Sequence, residues 1–246
     1  MKILGIIPAR YASTRFPGKP LALIGGVPMI QRVYAQALKA PALHRVIVAT
    51  DNQEILDCVR TFGGTACLTA ETHASGTDRC YEVFSQQTEP YDYVINIQGD
   101  EPFINPEQIE LLAALLDGET ELATLVKKIT DQQQLINPNV VKAVLNNKSE
   151  ALYFSRSPIP FWRGPETNWT QHHLYYKHIG LYAYRADVLQ QITRLQVSAL
   201  EKAESLEQLR WLENGFKIKT AETQLETLGI DTPEDLERAN AEAATA

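Results

Sequence analysis

The residues best suited to chemistry lie in a loop near the start of the sequence. Three cations, Arg10, Arg15 and Lys19, follow an apolar segment that begins at Ile3. Guanidinium and ammonium groups, backbone N–H groups and a flexible Gly18 together suit the binding of a polyphosphate. A solvated basic loop is the alternative, but three cations directly after a buried strand favour phosphate binding.

A second candidate site is the segment Gly99-Asp100-Glu101-Pro102, which follows a strand-like apolar run. A carboxylate at the carboxyl end of a strand faces the ligand crevice of an α/β sheet. Beside a triphosphate, Asp100 would bind Mg²⁺, which takes one or two carboxylates together with phosphate oxygens. The alternative is that Asp100 belongs to a turn, because Gly-Asp and Glu-Pro are common turn dipeptides.

A third candidate is Asp231, which precedes Thr232-Pro233-Glu234-Asp235. Thr232 is a good N-cap with proline at the first helical position, and two acids follow in the first turn. Capping accounts for those four residues without any chemistry. It accounts less well for Asp231, which is therefore a possible ligand.

Other candidates have ordinary structural explanations beside the functional ones. Ser75 precedes a predicted helix and would cap it, although a helix N-terminus also offers N–H groups to a nucleotide. Arg156 could bind a carboxylate with two parallel hydrogen bonds, but a lone arginine is usually a surface residue. Glu207 and Arg210 could form only an i,i+3 pair on a helix, and a lone histidine such as His178 is usually structural.

Composition excludes several classes of protein. The 246 residues carry a net charge of −7, which argues against nucleic-acid binding because that requires a basic surface. The three cysteines form no C-x-x-C, so we expect neither a disulfide framework nor a zinc site, and a reducing cytoplasm fits best. No leader pattern and no long apolar run is visible, so we expect a soluble cytoplasmic protein without membrane contact.

The elements that must position these residues alternate between strand and helix in the first half. Apolar periodicity predicts strands at 2–8, 45–50, 65–69 and 93–98, and helices at 28–40, 52–62, 76–87 and 106–117. The second half adds strands at 122–129, 140–146, 151–155, 175–184 and 216–222, and helices at 186–195, 201–214 and 233–243. This order predicts an α/β fold, with a mostly parallel sheet flanked by helices and a mixed-sheet extension. We expect a single domain over residues 1–246, with a nucleotide-binding half to about 120 and a second half from about 121.

Several segments together resemble one family of enzymes. They include IIPARYASTRFPGKPL, SGTDR, NIQGDEP, YFSRSPIP, KHIGLYAY, LEQLR and GIDTPEDL, and they extend from about residue 3 to residue 238. On these segments the chain resembles the 3-deoxy-manno-octulosonate cytidylyltransferases. The resemblance implies a Rossmann-like fold of the nucleotide-diphospho-sugar transferase type and a homodimer formed through the second half.

The resemblance also implies a reaction and assigns residues to it. CTP and 3-deoxy-manno-octulosonate (Kdo) would give CMP-Kdo and pyrophosphate with Mg²⁺ as cofactor, a step of lipopolysaccharide biosynthesis. The CTP-binding residues would be Ala9, Arg10, Arg15, Lys19, Ser75 and Gln98, of which Arg10, Arg15 and Lys19 would act in catalysis with Asp100. The magnesium ligands would be Asp100 and Asp231. The sugar-binding residues would be Gln98, Arg156, His178, Glu207 and Gln208.

Alternatives remain at this level. The same chemistry could act on the 8-amino analogue of Kdo or on a nonulosonate such as sialic acid. A non-catalytic nucleotide-binding domain is a different class. Residues 163–171 match none of the segments above, so no role is assigned to them.

Overall fold

Strands and helices alternate between residues 29 and 113, as the apolar periodicity predicts. The computed structural model describes residues 1–12, 16–164, 168–226 and 229–243. The strands are β1 (Ile3–Ala9), β2 (Leu23–Ile24), β3 (Val27–Pro28), β4 (Arg45–Thr50), β5 (Ala66–Leu68), β6 (Tyr93–Asn96), β7 (Leu122–Ile129), β8 (Lys142–Leu145), β9 (Ala151–Ser155), β10 (Tyr175–Arg185) and β11 (Ile218–Glu222). The helices are α1 (Met29–Ala37), α2 (Gln53–Thr61), α3 (Gly76–Ser85), α4 (Pro106–Ala113), α5 (Gln132–Ile136), α6 (Trp169–His172), α7 (Ala186–Ile192), α8 (Ala199–Glu204), α9 (Gln208–Glu213) and α10 (Pro233–Ala243).

The chain divides into two compact units. The first unit is Met1–Glu110 with Glu226–Ala246, and the second is Leu111–Leu225. The C-terminal helix therefore belongs with the N-terminal residues, whereas the sequence placed it in the second half. Its packing explains the difference, because Ile230 and α10 cover the buried side chains of Ile24 and Met29.

The first unit contains a parallel sheet in the order β6-β1-β4-β5. Both β1 and β4 are almost entirely buried and apolar, as expected for parallel strands that are covered on both faces. Ala9 pairs with Thr50, so β1 and β4 end at the same edge of the sheet. The loops that carry Arg10 and Asp51 consequently begin side by side.

The second unit contains a mixed sheet. β7 pairs with β11 in parallel and with β10 in antiparallel, and β10, β8 and β9 continue the antiparallel pairing. The fold class predicted from the sequence is confirmed, since the first unit has parallel strands flanked by helices and the second unit has a mixed sheet. The short helices α5 and α6 were not predicted.

The predicted helix at 201–214 is wrong, because the structure has two helices there. Ser205 adopts a left-handed conformation, with φ of 52°, between α8 and α9. Leu206 is buried, and the Arg210 guanidinium donates to both carboxylate oxygens of Glu201 at 2.6 and 2.7 Å. These contacts tie the two helices together and offset the strain at Ser205. No glycine or proline marks the break in the sequence.

Candidate active site

The loop that follows β1 is folded back by Gly18. Gly18 has a φ of 70°, a conformation that costs glycine little, and its N–H donates to the carbonyl of Tyr11 at 3.0 Å. This closure brings Lys19 to the carboxyl end of the strand. Arg10 is exposed at the start of the loop. Arg15, a predicted phosphate ligand, lies outside the described residues.

Lys19 lies between the two predicted metal ligands. Its ammonium group is 2.8 Å from Asp100 Oδ2 and 3.4 Å from Asp231 Oδ1. The N–H of Ile230 donates to the carbonyl of Asp100 at 2.9 Å, which holds the two carboxylate-bearing segments together. The structure thus brings together a cation and two carboxylates that are far apart in the sequence.

A close backbone approach places Asp100 at this position. A Cβ atom on Gly99 would lie 2.5 Å from the carbonyl oxygen of Pro8, so only glycine fits there. Burial, and secondarily the charge of Asp100, raises the pKa of the neighbouring Glu101 to about 8. The Glu101 carboxyl group is therefore mostly protonated at neutral pH.

A second depression adjoins this centre and shares Pro8 and Arg10 with it. Ser75, Arg79 and Gln98 also line this second depression. The first depression, at Lys19 itself, is lined also by Ala9, Asp100 and Asp231. Ser75 is the N-cap of α3, and its hydroxyl oxygen accepts from the N–H of Asp78 at 3.1 Å. The capping interpretation of Ser75 is therefore correct, and the residue still lies on the wall of a depression beside Arg10.

Two residues that position this site were missed in the sequence. Asp51 accepts from the N–H of Tyr11 at 3.2 Å and forms a 2.8 Å ion pair with Arg79, a buried cation. The pair connects α3 to the first residues of the loop. Asp51 directly follows β4, which was a usable signal because the carboxyl ends of parallel strands share one edge.

The second unit holds the predicted sugar-binding residues other than Gln98. Arg156 follows β9, and its guanidinium donates to three backbone carbonyls, those of Glu204 at 2.7 Å, Pro138 at 3.2 Å and Ser205 at 3.4 Å. Gln208 is buried at the start of α9. Glu207 lies 3.8 Å from Arg210, whose shorter contacts are to Glu201, so the i,i+3 pair is the weaker interaction.

His178 is a neutral side chain in a mostly apolar environment. Its ring contacts Phe154 edge-on and Tyr182, with centroids 5.2 and 5.1 Å away, and Nε2 lies 3.1 Å from Thr124 Oγ1. Desolvation lowers the pKa of His178 to about 4. His178 can therefore donate or accept a hydrogen bond at neutral pH without carrying charge.

The two carboxylates near Lys19 fit a magnesium ion that is shared with a substrate. Both lie within 3.4 Å of one ammonium nitrogen, so their oxygens converge on a single position. The described residues contain no group of three or more His, Cys, Asp or Glu side chains that could hold a metal. Such a sparse donor set suits Mg²⁺, which retains waters and phosphate oxygens and needs only one or two carboxylates.

Comparison with known proteins defines first the class and then the family. Residues 4–220 match the family model described as cytidylyltransferase, so the chain is a nucleotidyltransferase. A 3-deoxy-manno-octulosonate cytidylyltransferase of Parabacteroides distasonis is 58% identical, with 97% of each chain covered. That of Cytophaga hutchinsonii is 56% identical, covering 97% of this chain and 96% of its own. This chain belongs to the 3-deoxy-manno-octulosonate cytidylyltransferase family, as its sequence segments indicate.

A solved structure supports the same relationship. A CMP:2-keto-3-deoxy-manno-octonic acid synthetase complexed with CTP superimposes with a TM-score of 0.93 and 45% identity, covering 100% of this chain and 99% of that one. A 4-diphosphocytidyl-2C-methyl-D-erythritol synthase of Anaerococcus prevotii, at 14% identity and a TM-score of 0.64, shares the fold. Among the described residues, no helix has the length and apolar character needed to cross a membrane.

Proposed function

We propose that this chain transfers CMP from CTP to Kdo, forms CMP-Kdo and pyrophosphate, and serves lipopolysaccharide biosynthesis. The observation that carries the proposal is the centre at Lys19. A cation held by Asp100 and Asp231, beside the exposed Arg10, offers both signs of charge that a metal-bound triphosphate requires. The names of the relatives supply the choice of nucleotide and sugar.

In this proposal the chain's residues position charge rather than form covalent bonds. The anomeric hydroxyl of the sugar attacks the α-phosphorus of CTP in line, and pyrophosphate leaves. Arg10, Arg15 and Lys19 bind the phosphates and neutralise the charge that develops on the leaving group. Ser75 and Gln98 lie on the wall of the adjoining depression, where we place the cytidine together with Ala9.

We propose Mg²⁺ as the cofactor, held by Asp100 and Asp231. When bound, Mg²⁺ neutralises phosphate charge and lowers the pKa of a nearby hydroxyl group, so a dedicated general base is unnecessary. The acid Kdo also carries a carboxylate, which we assign to Arg156. His178, Glu207 and Gln208 would bind its hydroxyl groups, and the neutral state of His178 suits that role.

The test is release of pyrophosphate from CTP and Mg²⁺ with Kdo, its 8-amino analogue and sialic acid in parallel. We expect turnover with Kdo, and a loss of about 10²- to 10³-fold in kcat for Asp100→Asn. Asp57→Asn is the matched control, because Asp57 is exposed on α2 and its partner Gln53 can still donate to asparagine. Turnover with sialic acid but not with Kdo would show that the sugar assignment is wrong. CTP binding without turnover of any of the three sugars would indicate a non-catalytic nucleotide-binding domain.

We also propose a cytoplasmic homodimer formed through the second unit. Three apolar side chains of the second unit are exposed and would be covered by a partner chain: Leu152 on β9, Phe161 and Leu174 expose 58%, 76% and 43% of their surface. The free cysteines suit a reducing compartment. Light scattering should give twice the chain mass, and Leu152→Asp with Phe161→Asp should shift the mass toward one chain.

A further inference from the structure

Arg156 is held at its backbone and at its side chain by one residue, Glu204. The Glu204 carboxylate accepts from the Arg156 N–H at 2.9 Å and from the Ser155 hydroxyl at 2.5 Å. The Glu204 carbonyl accepts from Arg156 Nε at 2.7 Å. We propose that Glu204 is a positioning residue that fixes the Arg156 guanidinium for an incoming sugar-acid carboxylate. This proposal rests on the sugar-binding role proposed for Arg156.

The geometry at the end of α8 makes this arrangement possible. The last carbonyls of a helix lack partners within the helix. Glu204 ends α8, and Ser205 turns the chain into the left-handed region, so the carbonyls of both residues meet the guanidinium. The break in the predicted helix at 201–214 thus provides two of the three carbonyls that hold Arg156.

The choice of neutral acceptors matters for binding. All three guanidinium hydrogen bonds to described residues end on carbonyl oxygens, so they orient the guanidinium without a direct bond to a carboxylate. A guanidinium has about five N–H groups, so about two remain for a substrate carboxylate. Such a charged pair of hydrogen bonds depends on a fixed orientation.

Lys142 holds the same turn from its other side. Its side chain is buried, and the ammonium donates to the carbonyls of Asn137 and Val140 at 3.0 and 2.6 Å and also to that of Arg156. Burial lowers the pKa of Lys142 from its ordinary value. Residue 156 is therefore fixed through its N–H, its carbonyl and its guanidinium before any substrate arrives.

The experiment compares Glu204→Ala with Glu204→Gln. Glu204→Ala should raise the KM for Kdo about tenfold, while the KM for CTP stays within about twofold. Glutamine can accept from the Arg156 N–H and donate to the Ser155 hydroxyl, so Glu204→Gln should restore the KM for Kdo to within about threefold of wild type. Glu213→Gln is the control, because Glu213 is exposed in the same unit and the glutamine keeps an oxygen that accepts from the Leu200 N–H.

Three outcomes separate the positioning role from the proposed role of Arg156. In the Arg156→Ala background, Glu204→Ala should add no further rise in the KM for Kdo. The NMR signal of the Arg156 Nε–H should exchange faster with water in Glu204→Ala than in wild type. Equal effects on both KM values, or unchanged exchange, would overturn the positioning role. An unchanged KM for Kdo in Arg156→Ala, with faster exchange in Glu204→Ala, would overturn only the role of Arg156.

Discussion

Replacing Lys19 by methionine tests whether its ammonium group competes with Mg²⁺ for the carboxylates of Asp100 and Asp231. In the ligand-free protein, the ammonium occupies the position on which the Asp100 and Asp231 oxygens converge. Mg²⁺ must displace that ammonium to bind. We therefore expect Lys19→Met to bind free Mg²⁺ more tightly than wild type, although loss of the proposed phosphate contact should lower kcat/KM with CTP.

The magnitude follows from the exposure of the two pairs. The Asp100 and Asp231 side chains are 33% and 49% exposed, so solvent screens both contacts. Partly exposed ion pairs contribute about 0.2 to 1 kcal/mol each, and two of them about 0.4 to 2 kcal/mol. This difference corresponds to about a two- to thirtyfold lower Kd for Mg²⁺ in Lys19→Met.

Titration calorimetry of Mg²⁺ into nucleotide-free protein measures this directly. Lys39→Met is the control, because Lys39 is exposed after α1 and contacts only Gln36 with its ammonium among the described side chains. Adding Asp100→Asn to Lys19→Met should remove the gain. The reasoning is refuted if Lys19→Met binds Mg²⁺ no more tightly than wild type, or if the double variant retains the gain.

Three further predictions concern the side chains that position the site. The pKa of His178 is lower in the folded protein, about 4, than its ordinary 6.5, so the free energy of unfolding should fall by up to about 3 kcal/mol between pH 6.5 and 4. Urea unfolding should show a smaller fall for His178→Gln, and an equal fall would contradict the assignment. Ser75→Ala should lower the free energy of unfolding by about 1 kcal/mol through loss of the α3 cap, and no change in urea unfolding would disprove that contribution. Asp51→Asn should lower it by about 1.5 to 3 kcal/mol by weakening the Arg79 pair, and should raise the KM for CTP while that for Kdo stays constant. Equal KM changes would assign Asp51 a general structural role.

The sequence predicted best the elements whose pattern is local. The strands at 45–50, 122–129 and 151–155 have the predicted bounds, because continuous apolar runs between turn residues define them. The break at Ser205 could not be predicted in this way. It is stabilised by Arg210 and Glu201, a tertiary pair that outweighs the helical preference of the residues between them.

In the candidate site, too, the sequence predicted what has a local pattern and missed what depends on tertiary contacts. Lys19 and Asp100 were identified because each follows a strand, and strand ends are where α/β sheets bind ligands. Their pairing with Asp231 depends on chain segments that are more than 100 residues apart, and no local spacing indicates it. Glu204 carried no signal at all, because a glutamate near the end of a helix is ordinary until its carbonyl is seen to meet Arg156.

The two cations proposed to contact substrate are held in opposite ways, and this difference predicts how each should respond to ligand. Lys19 is paired with two carboxylates and must exchange those partners when a metal-bound triphosphate binds. Breaking the two ion pairs therefore offsets part of the binding free energy that Lys19 contributes. Arg156 is bound to neutral carbonyls and keeps both its partners and its charge. Binding of the nucleotide should therefore involve local rearrangement around Lys19, whereas the carboxylate of the sugar meets an arginine that is already oriented. It follows that the KM for Kdo should be sensitive to the framework that holds Arg156, while the KM for CTP should be sensitive to the charges that compete for Lys19.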